Sequence, residues 1–233
     1  MIFYPGLHQP SDAKHFDRAC VSVTRLKPRK QPIGCPDVLV DSGAFSELHL
    51  HGRYRDTTAA YAKELLRLWQ DGVVRITAAV AQDYMCEPFM LAKTGMTIAD
   101  HQRLTIERYA QLCEHRLPFR IMPVLQGYAP EDYARHARAY GRLLKPGMWV
   151  GVGSVCKRNS RPGEVLAVLR AVRDAKPLIR LHGFGLKTTA LADPHIRNML
   201  HSSDSMAWSF AARWEGRNRN DWREAVAYME KLA

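Results

Sequence analysis

The sequence predicts an α/β protein, a single compact (β/α)8 TIM barrel with minimal insertions spanning residues 1–233. Three observations predict it. Short apolar, β-rich runs alternate with helical patterns along the whole chain, the arrangement that yields a parallel sheet. The alternation gives eight strand–helix units, the number that closes such a barrel, though 233 residues is short against the roughly 250 typical of that fold. No linker, internal repeat or low-complexity tract interrupts the pattern. An open doubly wound sheet is the alternative.

Residues 2–4 read as a first strand, stopped by Pro5 and Gly6. Ser11 and Asp12 cap a short helix to about residue 18. Residues 20–24 alternate and are β-rich, a second strand; residues 27–32 are a basic loop broken by prolines. Residues 38–41 are the third strand. Asp56, Thr57 and Thr58 then cap a helix whose apolar positions Tyr61, Leu65, Leu68 and Trp69 recur at helical spacing. A fourth strand covers residues 73–80, and a long helix covers residues 97–116. Residues 121–125 form a fifth strand, closed by Gln126 and Gly127. Pro130 opens a helix to about residue 144, proline being suited to a first turn. Residues 149–153 make a sixth strand, residues 162–173 a helix, and residues 179–185 a seventh strand with its exit. A short helix over residues 188–198 leads to an eighth strand, residues 199–204, and a last helix runs from residue 221 to about 232.

The stretch from Val38 to Glu47 is the most informative. An apolar strand runs into Asp41, then Ser42 and Gly43, then Phe45. An acid at the carboxyl end of an inner strand points into the crevice that the sheet opens there. Gly43 permits a sharp turn and close approach of a ligand. Phe45 supplies a flat surface just past it. An acid and an aromatic so placed suit a planar, hydrogen-bonding ligand such as a nucleobase.

The pattern recurs. Asp83, Gln126, Gly151 with Gly153, His182 with Gly183, and Asp204 follow successive strands. On one face of a barrel these groups converge, and acids, an amide and exposed glycine backbone then serve the donor–acceptor edge of a purine. A further carboxylate is free to act as a nucleophile. Singly, each has a structural role open to it: a helix cap for Asp41, Asp83 and Asp204, a turn for Gln126 and Gly127, close packing for Gly151 and Gly153, a core position for His182.

Composition bounds the class. Apolar residues make up 46% of the chain, ordinary for a protein with a proper core. No run approaches the roughly 18–20 apolar residues of a membrane span, and the N-terminus lacks a signal-peptide pattern. The five cysteines are scattered singly, without zinc-site spacing, so free thiols, no metal and no cofactor are expected, in the cytoplasm (a host's cytoplasm for a phage protein). The net charge of +11 argues for a polyanionic partner, nucleic acid first. Lys27, Arg29, Lys30, Lys157, Arg158, Arg161, Arg213, Arg217 and Arg219 are the candidate phosphate contacts.

The motifs resemble those of the tRNA-guanine transglycosylase superfamily. Asp41-Ser42-Gly43-Ala44-Phe45 is similar to its D-S-G-G-[YF] signature, Asp83-Tyr84-Met85-Cys86 to its base-reading D-x-C region, and Gln126-Gly127 to its Q-G motif. The run from Trp149 to Val155 resembles its glycine-rich turn, Leu181 to Gly185 its L-M-G-V-G, and Asp204 stands where that family places a nucleophilic aspartate. The chain departs from the pattern at Ala44 and at His182, which stands where a methionine covers the base, and it has no cysteine after Asp204 for the zinc site of the tRNA enzymes. These departures resemble the deazapurine DNA transglycosylase branch, which installs 7-deazaguanine bases in DNA. The resemblance implies exchange of a guanine in DNA for a free base such as preQ0. Asp204 would be nucleophile and Asp41 acid/base; Asp83, Gln126 and Gly127 would read the base with Ser42, Gly151, Gly153 and His182, and Phe45 would stack on it. The same chemistry on tRNA, a non-catalytic nucleic-acid-binding barrel, and a barrel acting on a phosphorylated metabolite remain alternatives. A homodimer or partner protein is left open.

Overall fold

The computed structural model describes residues 1–232. Strands and helices alternate, and every strand pairing is parallel. The strands form two separate sheets, not one closed eight-stranded barrel. The five-stranded sheet has the order β1 (Ile2–Pro5), β9 (Leu200–Ser205), β8 (Arg180–Gly183), β7 (Trp149–Val152), β6 (Val124–Leu125). The four-stranded sheet has the order β2 (Arg18–Ser22), β3 (Asp37–Asp41), β4 (Ile76–Val80), β5 (Arg120–Met122).

Two local features overturn the predicted barrel. Pro123 has no N–H and divides the expected fifth strand: β5 pairs only with β4, and β6 only with β7. Between β1 and β2 the ladder shrinks to one bridge, Gly6 to Cys20. The sheets share an inner core of Tyr4, Cys20, Leu39, Ala78, Val80, Met122, Val124 and Trp149. Alternate residues such as Val38, Val40 and Val150 face the larger core under the helices.

The helices are α1 (Val23–Leu26), α2 (Ala44–His51), α3 (Thr58–Gln70), α4 (Pro88–Thr94), α5 (Ile98–Glu114), α6 (Pro130–Ala139), α7 (Pro162–Ala175), α8 (Thr188–Leu191), α9 (Pro194–Met199), α10 (Ala207–Trp214) and α11 (Trp222–Glu230). The expected first helix is a 3-10 turn, Pro10–His15. The helix expected over residues 188–198 divides at Asp193, which caps α9 by accepting from the His195 N–H. Sequence reading gave no helix at α1, α2, α4 or α10, and the second strand, expected over residues 20–24, lies at Arg18–Ser22 and gives way to α1. Among the described residues no helix is long and apolar enough to cross a membrane.

His136 on α6 ties that helix to the strand ends. It is fully buried. Its Nδ1 accepts from the Gln126 N–H at 2.9 Å, and Nε2 lies 3.1 Å from the Gln102 carbonyl. Burial pushes its pKa down from 6.5 to about 4. An unfolded chain therefore binds this proton from about pH 6.5 and the folded one only near pH 4. Stability falls as pH drops through that window, by on the order of 3 kcal/mol from this group. His136→Gln keeps a donor and an acceptor but removes the titration. Urea denaturation from pH 7 to pH 4 should show a shallower loss in this variant than in the wild type.

Candidate active site

The carboxyl ends of the strands surround a cavity of about 470 Å³. Asp41, Asp83 and Asp204 line it together with Gln126, Gly153 and Phe45. Ser42, Gly127, Gly151 and His182 are not on its wall; Ser42 and His182 stand behind it, bonded to Asp83 and Asp204.

Asp41 ends β3, and Gly43 follows at φ +76°, a conformation that L side chains rarely adopt. The turn lets the Gly43 N–H donate to Asp41 Oδ2 at 2.9 Å. A Cβ at Gly43 would stand 2.7 Å from Thr24 Cγ2. Burial raises the Asp41 pKa against the bonding from Gly43, and the charge of Asp204 raises it further.

Asp83 is buried beyond β4. Ser42 Oγ donates to its Oδ1 at 3.2 Å and Gln126 Nε2 to its Oδ2. The Tyr54 hydroxyl clamps its backbone, accepting from the N–H at 3.1 Å and donating to the carbonyl at 3.0 Å. Burial lifts the carboxyl to about 7; the Gln126 bond opposes the rise and Asp41 adds to it. Gln126 is held in turn: Ser154 Oγ donates to its Oε1 at 2.7 Å, and Gln102 Nε2 to its carbonyl at 2.7 Å. Gly153 leaves room for this side chain, since a Cβ there would lie 2.1 Å from Gln126 Nε2.

Asp204 lies near the end of β9, where β1 and β8 flank it. Its Oδ1 accepts from the Gly185 N–H at 3.1 Å and lies 3.2 Å from His182 Nε2. Oδ2 has no protein hydrogen bond among the described residues. Behind His182, Nδ1 is 2.9 Å from Ser202 Oγ, and Trp149 Nε1–H donates to that oxygen at 2.7 Å. Ser202 thus accepts from Trp149 and has its own proton to give to Nδ1, which leaves Nε2 of a neutral imidazole protonated toward Asp204. His182 is fully buried and supports the carboxylate from behind.

The remaining expected residues divide. Phe45 is 48% exposed at the rim, stacked on His49 with ring centres 5.4 Å apart. Gly127 and Gly151 serve packing: a Cβ would meet Asp132 Cβ at 2.7 Å and the Phe184 ring at 2.2 Å. Among the cations, Lys27 pairs with Asp56, and Arg158 and Arg161 with Glu164. Arg217 pairs with Glu215 and Glu224. Lys157 sits over the Phe89 ring at 5.7 Å. Arg29, Lys30, Arg213 and Arg219 have no carboxylate partner among the described residues. Sequence reasoning missed Tyr54, Ser154, Ser202 and the support from Trp149. Only Ser154, directly after Gly153, carried a signal, and its φ of 55° fits that turn.

No curated protein matches the chain. The model of the DpdA family, DeoxyPurine in DNA protein A, matches residues 2–219, a span that includes all three cavity acids, and the chain belongs to that family, whose work is the deazapurine modification of DNA.

Proposed function

We propose that the protein exchanges a guanine in DNA for a 7-deazaguanine base through a covalent intermediate on Asp204. The observation that carries this reading is the free Oδ2 of Asp204 in the same cavity as Asp41, an acid of raised pKa. Oδ2 attacks C1′ of the flipped deoxyguanosine; the C1′–N9 bond breaks, its electron pair leaves with guanine, and Asp41 gives guanine a proton. The incoming base returns a proton from its N9–H to Asp41, attacks C1′ and displaces the Asp204 carboxylate. Two inversions restore the original configuration, as in retaining glycosidases.

Recognition falls to Asp83 and the group that holds it. Each oxygen of Asp83 accepts one protein hydrogen bond and keeps a lone pair for the N1–H or the exocyclic amine of a guanine edge. The family membership supports DNA as the polymer. The test offers radiolabelled guanine and preQ0 with duplex DNA, single-stranded DNA and tRNA in parallel. Label in DNA supports the reading; label in tRNA alone overturns the polymer assignment, and no label in any overturns the exchange.

Asp204→Asn should lower exchange by at least about 10³-fold while DNA binding stays within a few-fold of wild type. A protein–DNA adduct trapped in the wild type and mapped to another residue would refute the assignment.

His182 is a positioning residue. His182→Ala should lower kcat about 10- to 100-fold with the KM for DNA nearly unchanged. His182→Gln retains a donor toward Asp204 and should recover part of the loss; equal losses in steady-state kinetics of the two variants would contradict the role.

Base affinity should depend on pH through Asp83. Accepting two donors requires the carboxylate, and the empty site holds its proton up to about pH 7. Below that, the Kd for free guanine should rise by about tenfold per pH unit, and above it stay flat. Equilibrium dialysis from pH 5.5 to 8.5 measures this; Asp83→Asn should bind weakly and without the slope.

A further inference from the structure

A DNA strand reaches Asp204 over the rim of the cavity, and the rim is not uniform. The turn after β1 and helix α1 after β2 lie between β9, which carries Asp204, and β3, which carries Asp41. His8 and Arg25 come from these segments, and both line the cavity. Arg25 is exposed and forms no ion pair among the described residues. The contrast with Lys27, two residues on and paired with Asp56, is direct. Burial first, and then the charges of Arg25 and Arg219, hold the His8 imidazole below its usual pKa. His8 Nε2 in turn lies 2.7 Å from Ser209 Oγ, tying the turn to α10.

Helix α10 completes the lip. Phe210 lines the cavity and is 69% exposed; Trp214, one turn further along the same face, is 93% exposed. Two large exposed aromatics beside an unpaired guanidinium match what single-stranded nucleic acid offers, stackable bases joined by phosphates.

Resting on the exchange reading above, we propose that this lip is the acceptor-strand subsite: Arg25 holds a backbone phosphate beside the reacting nucleotide, and Phe210 and Trp214 stack on the unpaired bases next to it. A sugar at Asp204 carries a phosphate on each side, and among the described residues Arg25 is the one cation without a carboxylate partner on the cavity wall.

The test is fluorescence anisotropy of a labelled single-stranded oligonucleotide across a KCl series, with steady-state exchange in parallel. Arg25→Gln should weaken binding several-fold and reduce the slope of log Kd against log salt by about 0.7, one phosphate contact. Lys27→Gln should change the slope less. Phe210→Ala and Trp214→Ala should weaken binding by about 5- to 100-fold each without altering the slope. The KM for free guanine should stay at the wild-type value in all four variants. An unchanged slope in Arg25→Gln overturns the phosphate contact. Wild-type DNA binding in Trp214→Ala together with loss of a dimer in ultracentrifugation would assign the aromatics to self-association and overturn the stacking. Wild-type protein that shows no salt-dependent DNA binding would overturn the exchange reading itself.

Discussion

Burying the carboxylate of Asp83 is the constraint on which the site depends. A carboxyl group taken out of water costs several kcal/mol unless hydrogen bonds replace its hydration. Ser42 comes from the end of β3, Asp83 from beyond β4, Gln126 from beyond β6 and Ser154 from beyond β7. The first two strands belong to the four-stranded sheet and the last two to the five-stranded sheet. The chain of hydrogen bonds around Asp83 therefore joins the two sheets at their carboxyl ends, near where Pro123 interrupts the backbone ladder. His136 and Gln102 hold the backbone of Gln126 in the same network. One set of side chains meets the desolvation cost, spans the gap between sheets and leaves lone pairs facing the cavity.

Asp204 is held by different means. Its contacts all fall on Oδ1, from the Gly185 backbone and from a line of donors running through His182 and Ser202 to Trp149. Such a line fixes the carboxylate's rotation without capping the second oxygen. The Asp83 half of the cavity is thus rigid through a closed network, and the Asp204 half through one anchored oxygen. Asp41 stands between them with its pKa raised by burial and by Asp204, which suits the acid role proposed for it.

Much of this was legible in the sequence, because strand ends are local. An apolar run followed by Asp, Gln or Gly is visible residue by residue, and all three acids and Gln126 do line one cavity. Closure of the sheet was not legible, since it depends on ladder continuity at Pro123 and at the single bridge between Gly6 and Cys20. Helix α2 is short and bounded by Gly43 and Gly52, both at positive φ, which reads as a loop. Tyr54 meets Asp83 from 29 residues away, and no spacing announces that contact. The same holds for charge. The surplus of +11 was plain, but Lys27 is neutralised by an aspartate 29 residues on, while Arg25 is not.

The cavity also bears on the direction of the exchange proposed here. Guanine and 7-deazaguanine present the same N1, N2 and O6 edge, so under the proposed recognition Asp83 and Gln126 would hold both equally and would not favour one product. The difference lies in the imidazole-type ring. Guanine has a basic N7, and a proton placed there draws the C1′–N9 electron pair toward the ring, which makes the base a good leaving group. A 7-deazapurine has carbon at that position and offers Asp41 no such site. In the proposed exchange the inserted base can leave only by the reverse of its entry, with Asp41 returning the proton to N9, whereas guanine can also be protonated at N7, so the barrier to expelling the inserted base is the higher one. The preference for the inserted base is therefore kinetic: a single acid of raised pKa leaves that base slower to depart than guanine without any contact that distinguishes the two by shape, and the equilibrium between them is set by the bases themselves.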